Sequence, residues 1–233
     1  MIDFLYNDKF IVLCLKPVGV LSEPFDREKN MPELLKRQTK AYKIDVIHRL
    51  DRNVGGVMVY SKNSKATEIL AKMMASHSFE KEYLAVVNGK PSHTGVMEDY
   101  LIKDKKKCKV FVAKKDTKDA KYAKLEYTVL GEKNGLSLVR IKLHTGRTHQ
   151  IRVQFASRGF SLVGDTKYGK QDTKDNGKTP IALYSFRLAF SHPISKKQIE
   201  GFSLPKPSGP FALFKKELKE LESSKTHNNN IGS

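Results

Sequence analysis

The 233-residue sequence predicts an α+β domain in which strands outnumber helices. Three observations predict it. Ala123, Leu125, Tyr127 and Val129 alternate with polar residues, the period of a half-buried strand, and residues 81–87 alternate in the same way. Asn134-Gly135 separates two such runs, the pairing expected of a tight hairpin turn. Ala66, Ile69, Leu70, Met73 and Met74 instead recur at helical spacing, with Asn63 or Ser64 in position to cap the start.

The remaining elements follow in chain order. Residues 2–6 and 10–15 are apolar, β-prone runs joined by Asn7-Asp8-Lys9, a hairpin-like start. In the loop from Lys16 to Ser22, Pro17 fixes one backbone angle and Gly19 permits a turn. Residues 32–40 suit a short helix with Pro32 in its first turn. From His48 to Val59 the chain sets His48, Arg49, Asp51 and Arg52 against Gly55 and Gly56, then enters an apolar strand. The two glycines let another backbone or a ligand come close. Asp51 is therefore expected on a loop at the mouth of a buried strand, held beside a cleft or, more plainly, capping a turn. A helix is expected from Thr148, as its cap, to Gly159. A final hairpin is expected over 181–190 and 199–205, and a closing helix with Phe211, Phe214, Leu218 and Leu221 on one face. These elements make one domain over residues 1–222, followed by a polar tail, 223–233, expected to be disordered.

Charge narrows the partner. Lys and Arg number 43 against 25 Asp and Glu, a net charge of +18. Such a balance suits a polyanion, most simply nucleic acid. Five lysines fall within residues 103–109, and a further lysine-rich stretch spans 114–124; both read as exposed turns that either contact phosphates or are simply solvated. Cys14 and Cys108 are isolated and read as small buried residues in a reducing compartment, not as a disulfide or zinc site. The N-terminus lacks the order of a signal peptide and no apolar run has membrane-spanning length, so a cytoplasmic protein without membrane attachment is expected. The sequence holds no dinucleotide fingerprint, P-loop or clustered metal ligands, so no cofactor is expected.

Several stretches, taken together, resemble one family. His48-Arg49-Leu50-Asp51 before a glycine and an apolar strand resembles the catalytic motif of the RluA family of RNA pseudouridine synthases. Lys16-Pro17-Val18-Gly19 resembles that family's first motif, and Phe79-Glu80-Lys81-Glu82-Tyr83-Leu84-Ala85-Val86-Val87 its second signature. Thr145-Gly146-Arg147-Thr148-His149-Gln150-Ile151-Arg152-Val153 and the turn Gly164-Asp165 to Tyr168-Gly169 complete the series. The chain departs at Val54 and Gly55, where the family usually carries hydroxyl residues, and at Tyr184, where a His is common. The resemblance runs from about residue 2 to 207 and implies a mixed, mostly antiparallel sheet flanked by helices. It implies a catalytic domain without the additional S4 RNA-binding domain of some members.

The resemblance also implies a reaction. Pseudouridine formation breaks the bond from C1′ to N1 of uridine, turns the base and joins C1′ to C5. The product has the same atoms, so no redox cofactor enters. A carboxylate either attacks C1′ or removes the C2′ proton. By resemblance Asp51 is that carboxylate, Arg147 its partner, and Tyr83 the ring that faces the target base. His48, Arg49, Lys16, Arg52, His149 and Arg152 are expected to bind substrate. A base within folded RNA has to be extruded first, and Arg49 is suited to fill the space it leaves. The implied partner is ribosomal or transfer RNA, with no obligate protein partner and a monomeric protein. Two other readings fit parts of the sequence: a non-catalytic RNA-binding protein on the same fold, and a ribonuclease using His48, His144 and His149 as acid and base.

Overall fold

The computed structural model describes residues 1–26, 28–169 and 179–230. The elements are β1 (Phe4–Asn7), β2 (Ile11–Lys16), α1 (Met31–Thr39), β3 (Asp45–Val46), β4 (Gly55–Ser61), α2 (Ser64–Ala75), β5 (Glu80–Asn88), β6 (Thr94–Asp104), β7 (Lys109–Ala113), β8 (Lys121–Lys133), β9 (Leu136–Leu143), α3 (Gln150–Ser157), β10 (Leu183–Ser191), β11 (Gln198–Phe202) and α4 (Lys215–Asn230). The sheet pairing is mixed and mostly antiparallel, as expected. The chain divides into two compact units. Each unit is assembled from separate segments, and the chain passes from one to the other within β5 and again within β9.

The first unit comprises Met1–Tyr83, Lys142–Gly146 and Leu183–Ser203. β1 and β2 form the expected opening hairpin, and Asp8 fixes its turn by accepting from the Phe10 and Ile11 amides at 2.7 and 2.8 Å. β2 pairs antiparallel with β4, which is buried along its whole length. β4 pairs parallel with β10, and β11 adds antiparallel to β10. The core gathers Ile11, Leu13, Val57, Val59, Leu188 and Phe190 beneath Ala66 and Leu70 of α2. Helix α2 starts where Asn63 accepts from the Ala66 amide at 2.9 Å, the cap that its spacing suggested. Helix α1 is capped by Asn30 in the same manner.

The second unit comprises Leu84–Ile141, Arg147–Ala182 and Leu204–Ser233. β6 pairs antiparallel with both β7 and β8. One face of these three strands, with Leu101, Val110 and Ala123, packs on Val153 of α3. Asn134 and Gly135 carry φ of 54° and 74°, the two positive values that a tight hairpin turn needs.

Two expectations are corrected here. Thr148 does not cap α3; the cap position is His149, in the left-handed region at φ 53° and without a side-chain cap bond. The Arg147 amide instead donates to Gln150 Oε1 at 3.0 Å. Cys108 is exposed, in the β6–β7 turn at φ 48°, while Cys14 is buried as expected. Helix α4 runs from Lys215 to Asn230. No Gly or Pro interrupts residues 211–230, so nothing local stops the helix.

Gly56 shows the close approach that its sequence context suggested. Its φ is +124°, and a Cβ there would lie 2.1 Å from the Ser185 carbonyl oxygen. Gly56→Ala therefore forces β4 and β10 apart as well as straining the backbone. We expect it to destabilise the fold by about 2–4 kcal/mol, read as a lower urea midpoint.

Candidate active site

The Asp51 loop is built by clamping its neighbours. On one side, the Leu50 amide donates to Ser22 Oγ at 3.0 Å, and that hydroxyl donates back to the Leu50 carbonyl at 2.7 Å. Ser22 is itself fixed by Tyr60, whose hydroxyl donates to the Ser22 carbonyl at 3.0 Å. On the other side, the Arg52 carbonyl accepts from the Gly19 amide at 2.8 Å and from Lys16 Nζ at 3.1 Å. The Val54 amide closes a turn onto the Asp51 carbonyl at 3.0 Å. Asp51 thus stands, partly exposed, between two residues whose backbone cannot move freely, at the entrance to β4.

Lys16 was expected to contact substrate, but it lies inside the protein, 2% exposed. Its ammonium donates to the carbonyls of Pro17 at 2.9 Å, Val20 at 2.6 Å and Arg52 at 3.1 Å. Those three bonds use its three donors. Burial lowers its pKa to about 8, and the negative charge of Asp51 opposes the fall. Lys16 ties the first motif to the Asp51 turn.

Tyr83 lies on β5, 6% exposed, and its side chain is hydrogen-bonded to Ser185 of β10. Ser185 Oγ also donates to the Val57 carbonyl at 3.1 Å. Burial raises the Tyr83 pKa to about 12; the Ser185 bond opposes the rise and the Asp51 charge adds to it. The phenol is therefore neutral at physiological pH, beside a carboxylate whose charge reaches both Tyr83 and Lys16.

His48 has a structural task in this unit. Its Nε2 accepts from the Val59 amide at 3.2 Å, taking over beside β4 where the two-residue β3 stops. Burial, and then the positive charge of Lys81, lower its pKa to about 3. A ring held neutral in this way cannot alternate as acid and base near pH 7, which removes one of the three histidines the ribonuclease reading needs. Arg49 and Arg52 are exposed and paired with Glu23 and Glu28. Exposed pairs of this kind contribute at most about 1 kcal/mol, so both guanidinium groups can exchange their partners for phosphates.

The other motif arginines belong to the second unit. Arg147 Nε donates to the Tyr122 carbonyl at 2.8 Å. Arg152 grips Asp165 with a two-bond fork, both bonds 2.8 Å, and lies over the Tyr168 ring at 5.2 Å. Burial pushes the Asp165 carboxyl up, but the Arg152 bonds and charge and the Tyr168 and Lys167 amides together hold it below the usual range. His149 Nδ1 meets the Tyr168 hydroxyl at 2.8 Å. That hydroxyl also accepts from the Val110 amide at 2.8 Å.

The first unit thus brings together Asp51, Tyr83, Lys16 and His48, and the second holds Arg147, His149 and Arg152. Sequence reasoning missed Ser22 and Ser185. Isolated serines carry no signal until the strands that face them are known. Two of the three family departures, Gly55 and Tyr184, are direct partners across the β4–β10 pair. A Cβ at Gly55 would lie 3.3 Å from the Tyr184 ring, so the smaller residue accommodates the larger ring.

Comparison with known proteins decides the family. Residues 10–157 match the family described as RNA pseudouridylate synthase. This chain belongs to the RNA pseudouridine synthases. A Bacillus subtilis protein named as an uncharacterized RNA pseudouridine synthase is 32% identical over 88% of this chain and 69% of its own length. Ribosomal large subunit pseudouridine synthase D of Zymomonas mobilis is 29% identical over 92% of this chain and 72% of its own. The tRNA pseudouridine synthase C of Pasteurella multocida is 31% identical over 85% of this chain and 89% of its own. Human RNA Pseudouridylate Synthase Domain Containing 4 shares the fold, with a TM-score of 0.75 and 20% identity over 93% of each chain.

The His48 environment gives a pH prediction. Its folded pKa of about 3 lies below the ordinary 6.5, so between those values the unfolded chain binds the extra proton. Stability should fall as pH drops through that window, by about 2 kcal/mol at pH 5 from this group. His48→Gln keeps an acceptor for the Val59 amide and should lose measurably less stability between pH 7 and 5 in urea melts.

Proposed function

We propose that this synthase isomerises specific uridines in ribosomal or transfer RNA, with Asp51 as the carboxylate that acts on the ribose. Two of the relatives named above act, by their names, one on ribosomal and one on transfer RNA, and the +18 charge suits either substrate. The observation that carries the site assignment is the double clamp on Leu50 and Arg52. It holds one carboxylate at the mouth of a buried strand beside a neutral phenol. Tyr83 is read as the ring against which the base stacks. Its raised pKa leaves it no basic oxygen at neutral pH. Lys16 acts through the Asp51 turn rather than on RNA, and His48 through β4. Arg49, Arg52, His149 and Arg152 are retained as the substrate-contact set. No helix among the described residues is long and apolar enough to cross a membrane. In this reading the protein works in the cytoplasm as a monomer, without an obligate protein partner.

Asp51→Asn tests the assignment. A neutral amide can neither attack C1′ nor accept a proton, while phosphate contacts lie elsewhere. We expect isomerisation to vanish in pseudouridine mapping of total RNA, with binding in a gel-shift titration largely retained. Turnover like that of the wild type would end the Asp51 assignment.

Arg147 is proposed as the guanidinium that serves the reaction. Its backbone is fixed by Gln150 and its Nε by the Tyr122 carbonyl. A lysine cannot reproduce that planar geometry. Arg147→Lys should slow single-turnover isomerisation by about 10²–10³ and change RNA affinity little. A fall in affinity at an unchanged saturated rate would make Arg147 a phosphate contact instead.

A further inference from the structure

The three strands β7, β6 and β8 have two unlike faces. Pairing sets Ile102 opposite Phe111 and Tyr100 opposite Tyr122. Strand alternation puts these four side chains on the face away from Leu101, Val110 and Ala123. That second face is open: Phe111 is 41% and Tyr122 39% exposed. The Tyr100 and Tyr122 rings lie 5.8 Å apart. Tyr122 is held in place by its hydroxyl, which donates to Glu98 at 2.8 Å, and Lys124 neutralises that carboxylate at 3.0 Å.

Lysines border this stripe at both ends. Residues 103–121 hold nine lysines against three aspartates. At the β6–β7 tip, Lys105, Lys106 and Lys107 are all exposed, and Lys107 Nζ stands 6.0 Å from the Phe111 ring. The tip is built to present them: Asp104 accepts from the Lys107 amide at 2.9 Å, and Cys108 takes the positive φ. The hairpin is braced from behind by Tyr168, which accepts from the Val110 amide, and by Lys167, which donates to the Cys108 carbonyl at 2.9 Å. At the other end, Lys114, Lys115, Lys118 and Lys121 are exposed in and beside the β7–β8 loop. The stripe also adjoins the motif helix, because Arg147 Nε bonds to the backbone of Tyr122 itself.

We propose that the face carrying Tyr100, Ile102, Phe111 and Tyr122 is a stacking platform for an unpaired stretch of RNA, whose phosphates the lysines of residues 103–121 hold. Exposed aromatic rings in a positively charged frame bind single strands without reading sequence, because every base presents a π-face. The charge selects a polyanion, and the rings select an unpaired one over a duplex, whose bases are already stacked. The proposal rests on the reading that RNA is the substrate. It adds a contact for RNA beyond the flipped uridine and independent of Asp51.

The test uses a fluorescent twelve-residue oligoadenylate, which contains no uridine and so does not report on catalysis. Anisotropy titrations compare the wild type with Phe111→Ala/Tyr122→Ala, Phe111→Leu/Tyr122→Leu and Lys105→Ala/Lys106→Ala/Lys107→Ala. We expect both aromatic double variants to weaken binding about tenfold or more, the leucine pair included because leucine has no π-face. The lysine variant should weaken binding and flatten its salt dependence. Unchanged affinity in the leucine variant, with its melting curve like that of the wild type, would overturn the platform. So would a duplex of the same length binding as tightly as the single strand. Failure of the proposed function would instead appear as turnover by Asp51→Asn, which this titration does not touch.

Discussion

The site depends on one buried ammonium. Lys16 carries its charge into a place that is 2% exposed and spends all three donors on backbone carbonyls. Desolvating such an ion costs several kcal/mol. Three charge-assisted bonds of about 1.5–3 kcal/mol each offset that cost. What results is geometry: the end of β2, the loop after it and the Asp51 turn become one body. Ser22 performs the same task on the other side of Asp51 with neutral bonds. A carboxylate held from both sides loses little freedom when substrate arrives, which is the part of catalysis that a free enzyme can prepare in advance.

The same economy explains why several motif residues are spent on the protein's own groups. His48 serves the Val59 amide, and Arg152 grips Asp165. His48 shares its motif with residues proposed to touch substrate, yet in this fold it braces the strand that carries them. The departures from the family pattern fit this picture too. Val54 is buried and its amide closes the Asp51 turn, so the turn forms without a hydroxyl at that position. Gly55 and Tyr184 differ from the pattern as a pair and meet as a pair.

Charge and apolar order are divided in the second unit. α3 covers one face of the β7, β6 and β8 strands, and the lysines cluster in the turns that project from them. Tyr122 joins the two features through its backbone bond to Arg147, so the motif that marks the family is anchored on the most basic part of the chain.

Much of this was legible in the sequence, because strand alternation, helical spacing and turn chemistry are local. The opening hairpin, the Asn63 cap of α2, the Asn134-Gly135 turn and the closing hairpin all stand where local patterns put them. Gly56 was legible as a close approach, though not that Ser185 is what approaches. The motifs, taken in order, marked Asp51 and Tyr83. Other features depended on partners far along the chain. Lys16 looked like a surface cation, and only three carbonyls converging from two loops made it an interior one. Cys108 looked like a core thiol until the turn put it outside, and Thr148 looked like a cap until His149 took the left-handed position. Local chemistry therefore determined which elements form. The tertiary structure decided what each polar side chain does, because a donor's role is set by the acceptors that folding brings to it.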